Sequence, residues 1–173
     1  MKHIEYVAYF KHIAEDLKAL GHNDQEPKFI SFDMWDLENA MKGIHKFPTL
    51  GLEAITSQLT GSYNNLRDHQ LGAFYIVDRV LDKGNSQEKD EAISRCKEIG
   101  WKVISYIIND VHRFQGQSFV LQGFNTSSVK AEKIGPIPIN NTLYGYRFTF
   151  MINQAAPTTF DASDWHTAER YTV

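Results

Sequence analysis

The sequence predicts an α+β fold: a mostly antiparallel sheet of four to five strands packed against one long helix, with an amphipathic N-terminal helix. Three segments carry this prediction. Residues 70–81 alternate as a strand, residues 85–114 have apolar residues at helical spacing, and residues 143–153 alternate as a closing strand. We expect one domain over residues 1–153. Residues 154–173 lack periodicity and are expected to form an irregular C-terminal tail.

The composition narrows the class of protein. The chain has 173 residues, of which 42% are hydrophobic, so one domain can bury a substantial core. A net charge of −3, with no cluster of basic residues, argues against electrostatic binding of nucleic acid or of anionic membranes. The apolar runs are shorter than the ~20 residues of a membrane span. A single cysteine excludes an internal disulfide and suggests a reducing compartment, the cytoplasm.

The first third of the chain predicts a helix and a short strand. Apolar residues spaced by threes and fours indicate a helix over residues 2–20, which Gly21 ends. Residues 28–32 are short, apolar and suited to a strand. Asp33 is a candidate cap for a short helical segment that reaches Lys42.

Two strands are expected to form an antiparallel pair in the middle of the chain. The segment 47–55 begins at Phe47-Pro48, and proline is tolerated where a strand starts. Residues 49–58 are predicted to pair with residues 70–81. The turn-rich stretch Thr60–Asn65 lies between them, and we expect residues 59–69 to form a loop.

The long helix has a recognisable start and a wide apolar stripe. Asn85 followed by Glu88 has the form of a capping box. The residues of the stripe, widened by Ile93, Ile104 and Ile108, are Ala92, Cys96, Ile99, Val103, Ile107 and Val111. Their spacing predicts that the helix is covered by the sheet, with Cys96 as a buried and inert thiol.

No pattern indicates catalysis. The seven histidines show no metal-binding spacing, and the pairs Asp33/Asp36 and Asp161/Asp164 are typical of helix caps and solvated loops. Glycine-rich phosphate loops and nucleophile motifs are absent from the sequence. We therefore predict no catalytic, cofactor-binding or metal-binding residues. The aromatic strand 144–150 could stack single-stranded bases, but with Arg147 as its only basic residue, core packing or subunit contact explains it better.

The order of elements points to a family. The N-terminal helix, Phe47-Pro48 at a strand start, the strand Phe74-Tyr75-Ile76-Val77, the long helix and the closing strand Gly145–Phe150 follow one another. Over residues 1–153 this order resembles the tail terminator (tail completion) proteins of long-tailed phages and prophages. The resemblance implies a hexameric ring, without catalysis or cofactor, that caps the tail tube and joins it to the head connector. It also implies synthesis in the bacterial cytoplasm and a final location in the virion.

A ring subunit needs surfaces that accept a neighbouring copy. The segment 129–139 contains two prolines and is therefore an edge strand or an extended arm. As an arm it would contact a neighbour through Ile134, Pro136, Ile137, Pro138 and Ile139; the alternative is a hairpin with residues 143–153. The second candidate surface is the loop carrying Tyr63, Asn64, Asn65 and Arg67.

Three functions stay open at this point. The first is the ring-forming assembly protein, with its own copies, the tail tube and the head connector as partners. The second is a small ligand-binding or enzymatic domain with a pocket between the long helix and the sheet. The third is a related connector or head-closure component, which would differ from the first only in its neighbours.

Overall fold

A computed structural model describes residues 2–33, 39, 42, 46–62, 65–117, 119–137, 141–156 and 158. Within them the elements are α1 (His3–Asp16), β1 (Phe29–Phe32), β2 (Thr49–Ser62), β3 (Asn65–Arg79), α2 (Ser86–Arg113), β4 (Phe124–Ile137) and β5 (Leu143–Ala155). The predicted α+β class, with one long helix and one N-terminal helix, is confirmed. Most of the helical segment predicted for residues 33–42 lies outside the described residues, as does most of the predicted tail.

The five strands form one mixed sheet in the order β1-β2-β3-β5-β4. β1 runs parallel to β2, and the other neighbours are antiparallel. The predicted pairing of β2 with β3 is confirmed, with Thr49 opposite Val77. β5 continues to Ala155, two residues beyond the predicted domain boundary.

The loop predicted for residues 59–69 is wrong. β2 and β3 continue as a ladder until Ser62 lies opposite Asn65, so most of this segment is strand. Gly61 explains the misleading turn signal. It adopts a φ of 101°, and a Cβ at this position would overlap the carbonyl oxygen of Asn65. The glycine therefore permits close approach at the end of a hairpin and does not mark a loop.

Both helices pack on one face of the sheet. The core on this face contains Tyr6, Phe10 and Ile13 of α1, much of the α2 stripe, and a set of sheet residues. Those sheet residues are Leu50, Leu52, Phe74, Ile76, Phe148, Phe150 and Ile152. Phe74 and Phe148 stack with ring centroids 5.0 Å apart and an interplanar angle of 3°. The aromatic closing strand thus packs in the core, which confirms one of the two explanations predicted for it.

The opposite face of the sheet is apolar in the half that contains the C-terminal part of β3 and the start of β5. Its buried residues are Phe32, Tyr75, Val77, Ile137 and Leu143. Alternation in β3 places Phe74 and Ile76 toward the helices, and Tyr75 and Val77 away from them, as predicted. β3 is therefore buried on both faces where it crosses the middle of the sheet.

The long helix begins and ends close to the predicted residues and is capped by Asn85 as predicted, but the capping box is incomplete. The side chain of Asn85 accepts a hydrogen bond from the N–H of Glu88 at 3.1 Å. The carboxylate of Glu88 does not complete a capping box; it accepts from the N–H groups of Leu81 and Asp82 at 2.7 and 3.1 Å. Glu88 thus ties the preceding turn to the helix. The predicted stripe is buried from Ala92 to Ile107, whereas Val111 is only half-buried.

Asn85→Ala should lower the free energy of unfolding by about 1 kcal/mol, because the N–H of Glu88 loses its acceptor at the start of the helix. Urea denaturation followed by far-ultraviolet circular dichroism measures this change. Ser86→Ala is the matched control at the next residue, where the structure shows no side-chain cap, and it should leave stability nearly unchanged. Equal losses for the two variants would contradict the capping role.

Candidate interaction surfaces

The predicted arm is an edge strand of the sheet. Ile134, Pro136 and Ile137 belong to β4, whereas Pro138 and Ile139 lie outside the described residues. Ile134 lies opposite Gly145, and Ile137 opposite Leu143, so the hairpin alternative is confirmed as far as Ile137. Ile137 is buried and Ile134 half-buried in the cluster on the second face, so both side chains pack on their own sheet.

The second predicted contact surface is the end of a β-hairpin. Asn65 and Arg67 are exposed on β3, and Tyr63 and Asn64 lie outside the described residues. Arg67 is placed between Thr60 of β2 and Ala155 of β5. Contact of any of these residues with another subunit stays a prediction.

The hairpin extends beyond the helix-covered part of the sheet. Side chains are exposed from Thr56 to Leu59, and the exposed fractions reach 56% at Leu59 and 47% at Leu71. Leu71 shares the face of Tyr75, and Leu59 lies on the other face, because cross-strand partners share a face and alternate residues change it. Apolar side chains are therefore available on both sides of this part of the sheet.

The outer edge of β2 is open along the same stretch. β1 pairs with β2 only from Leu50 to Glu53, and no other described strand pairs with the outer side of residues 54–62. These residues read Ala-Ile-Thr-Ser-Gln-Leu-Thr-Gly-Ser and contain neither charge nor proline. Natural proteins usually protect an open edge with lysine, proline or a short strand. This edge lacks the first two of these features and is long.

The second face also contains a buried ionic cluster. Arg147 of β5 donates from Nη2 to both carboxylate oxygens of Glu53 on β2, at 3.3 and 3.1 Å. The hydroxyl of Tyr75 on β3 donates to Glu53 Oε2 at 2.7 Å. Burial, and then the hydrogen bond to Glu53, raise the pKa of Tyr75 to about 12, so the phenol is protonated at neutral pH.

This cluster is suited to structure and not to proton transfer. The Glu53 carboxylate accepts from both partners, and its side chain is almost fully buried. Arg147 lies directly opposite Tyr75, and Glu53 lies opposite Ala73, two residues away on the same face of β3, so the three residues connect three adjacent strands. Sequence reasoning missed the cluster, although one signal was present: Glu53 is the only charged residue in the apolar strand 49–55, which is typical of a paired buried charge.

The thiol of Cys96 is similarly unavailable. Cys96 is buried, as predicted, and burial, together with the nearby charge of Asp78, raises the pKa of its thiol to about 12. Within the described ranges, no three His, Cys, Asp or Glu side chains come together as a metal-binding group. No helix in the described part of the chain is long and apolar enough to cross a membrane.

The space between the long helix and the sheet is filled by side chains. Gly100 faces the sheet, and a Cβ at this position would overlap the ring of Phe148. Trp101 meets the same ring edge-on at 5.4 Å. The alternative function requires a pocket in this region, and the ring of Phe148 fills the space beside Gly100.

Gly100→Ala should destabilise the protein by about 1–3 kcal/mol, because overpacking against Phe148 outweighs the gain of roughly 1 kcal/mol from replacing glycine in a helix. Thermal or urea unfolding measures the loss. The double variant Gly100→Ala/Phe148→Leu should recover part of the stability that the two single changes lose together. An increase in stability for Gly100→Ala alone would show that the close approach is not real.

One cleft of about 830 Å³ lies at the end of the sheet that contains Arg67 of β3 and Asn153 of β5. Glu5 of α1, Arg67 of β3 and Asn153 of β5 line it, together with Gln122 and Gly123, which precede β4. Its walls mix opposite charges with amides and backbone, and it has no converging set of titratable groups that would mark an active site. It could not be predicted from the sequence, because it joins four segments that are distant in the chain.

No protein-family model matches this chain, and no curated protein matches it significantly in sequence.

Proposed function

We propose that this protein is a structural component of a phage or prophage virion that acts as a tail terminator. In this role several copies form a ring, a hexamer in the family that the sequence resembles. The ring caps the tail tube and joins it to the head connector, and the subunit performs no reaction. It is made in the bacterial cytoplasm and ends in the virion.

The hairpin that extends beyond the helix-covered part of the sheet is the main support for this proposal. The hairpin formed by Ala54–Ser62 and Asn65–Leu71 exposes side chains on both faces and an unpaired strand edge. Exposed apolar side chains at Leu59 and Leu71 are typical of a surface that a partner covers. The side chains of Glu53, Tyr75 and Cys96, which could in principle react, are buried and stabilise the fold.

The size of the particle in solution tests the proposal. Light scattering coupled to size-exclusion chromatography should show a concentration-dependent species of several copies, and negative-stain images should show annuli. Mixing with a tail-tube protein of a long-tailed phage should give tubes capped at one end. A chain that stays monomeric at all concentrations and ignores tail tubes would refute the assignment.

A further inference from the structure

We infer that the open edge of β2, residues Ala54–Ser62, is the subunit-binding surface, and that β4 of a neighbouring copy pairs with it as an added antiparallel strand. This inference rests on the proposed ring. It is carried by the length of the unpaired edge, its lack of charge and proline, and the exposure of Leu59 at its centre.

The hydrogen-bonding groups of this edge can be assigned. The N–H of Leu50 donates outward to Lys28 at 2.9 Å, so those of Gly51 and Glu53 point inward to β3. Their partners on β3 are Tyr75 and Ala73, and Leu71 continues the same alternation opposite Thr56. After the irregularity between Glu53 and Thr56, the N–H groups that point outward are therefore those of Ser57, Leu59 and Gly61.

The same reasoning applies to β4. The N–H of Asn153 donates toward the β4 side, to Gly123 at 2.9 Å, so Arg147 and Gly145 also direct their N–H groups to β4. Their partners Glu132 and Ile134 point inward, and the N–H groups of Ala131 and Lys133 point outward. β4 is an outermost strand of the sheet, and no described strand pairs with its outer side.

The directions of the strands favour a closed ring. β2 and β5 run in one direction, and β3 and β4 in the other, because successive neighbours from β2 to β4 are antiparallel. Copies related by rotation about an axis along the strands would therefore bring β4 of one copy antiparallel to β2 of the next. Such a head-to-tail contact uses two different surfaces and can repeat until the ring closes.

The charges do not oppose this contact. The β2 edge is neutral, and the exposed part of β4 carries both signs, with Lys130, Glu132 and Lys133. A contact of β2 with its own copy would instead be isologous and give a closed dimer. The contact with β4 is heterologous and is therefore compatible with a ring of several copies.

Proline scanning tests the inference at two positions. Leu59→Pro and Lys133→Pro each remove an outward N–H while leaving the inward ladder of their own sheet intact. We expect each to raise the concentration of half-association by at least about tenfold, measured by sedimentation velocity. Leu59→Ala and Lys133→Ala are the matched comparisons, which keep the backbone donor and should raise this concentration by less than the corresponding proline variants.

The outcomes separate this inference from the proposed function. Rings formed by Leu59→Pro would overturn the role of β2, and rings lost with Leu59→Pro but kept with Lys133→Pro would overturn β4 as the neighbour. A wild-type chain that never associates would refute the proposed function itself. Thermal unfolding shows whether the proline variants fold.

Hydrogen exchange of the wild-type protein gives a second test that needs no variant. The amides of Ser57, Leu59 and Gly61 should exchange at least about tenfold more slowly in the assembled particle than in the dissociated chain. Amides of Phe74 and Ile76, inside the sheet, serve as controls that should not change. Equal exchange at the β2 edge in both states would overturn the inference.

Discussion

Phe148→Ala is expected to lower the free energy of unfolding by about 4 kcal/mol, the largest loss that a single change in this core should produce. The ring of Phe148 is fully buried and is surrounded by aromatic neighbours. It stacks on Phe74, meets Trp101 edge-on and fills the space above Gly100. Because Gly100 has no side chain that could move in, the cavity left by the alanine cannot collapse from the helix side.

Urea denaturation of the purified variant, monitored by circular dichroism, measures this loss. Leu81→Ala is the control: it also truncates a large apolar residue, but at a position that is 83% exposed, and should change stability by less than about 0.5 kcal/mol. A loss below 1 kcal/mol for Phe148→Ala would mean that α2 does not pack on the sheet as described.

The parts of the fold that could be predicted are those determined by local periodicity. α2 follows from a wide apolar stripe over about five turns, and its cap at Asn85 follows from residue type and spacing alone. β3 and β5 follow from the alternation of their side chains, because every second residue of a strand faces the same side of the sheet. Burial of Cys96 needed only its place on the stripe.

The hairpin could not be predicted correctly, because local signals there conflict with the ladder. Thr60-Gly61-Ser62 has the composition of a turn, yet Gly61 lies in β2 and lets its backbone approach Asn65. The position of β1 was equally hidden. It pairs parallel to β2, and parallel pairing depends on a crossover and not on adjacent residues.

The ionic cluster and the cleft were hidden by distance along the chain. Glu53 and Arg147 are 94 positions apart in sequence and meet only because β3 lies between their strands. The sequence could have flagged Glu53 as a charge within an apolar strand, but it could not have named the partner. The cleft requires the register of β3 and β5 together with the turn before β4, and no local pattern encodes that combination.

Arg147→Ala should destabilise the protein by about 3 kcal/mol, because it leaves the buried carboxylate of Glu53 with the hydroxyl of Tyr75 as its remaining partner in the cluster. The loss arises less from the missing attraction than from the unpaired buried charge. The double variant Glu53→Gln/Arg147→Ala should therefore lose less unfolding free energy than the two single variants lose in sum, since the neutral amide removes that charge.

A double-mutant cycle by urea denaturation of the four proteins tests this coupling, which should exceed about 1 kcal/mol. Arg113→Ala provides the control, since it removes an exposed arginine at the end of α2 and should cost less than about 0.5 kcal/mol. Additive losses at Glu53 and Arg147 would contradict the cluster. Glu53 is also the last residue of β2 that pairs with β1. A strong coupling would therefore show that the ionic cluster stabilises the sheet at the point where the open edge of β2 begins.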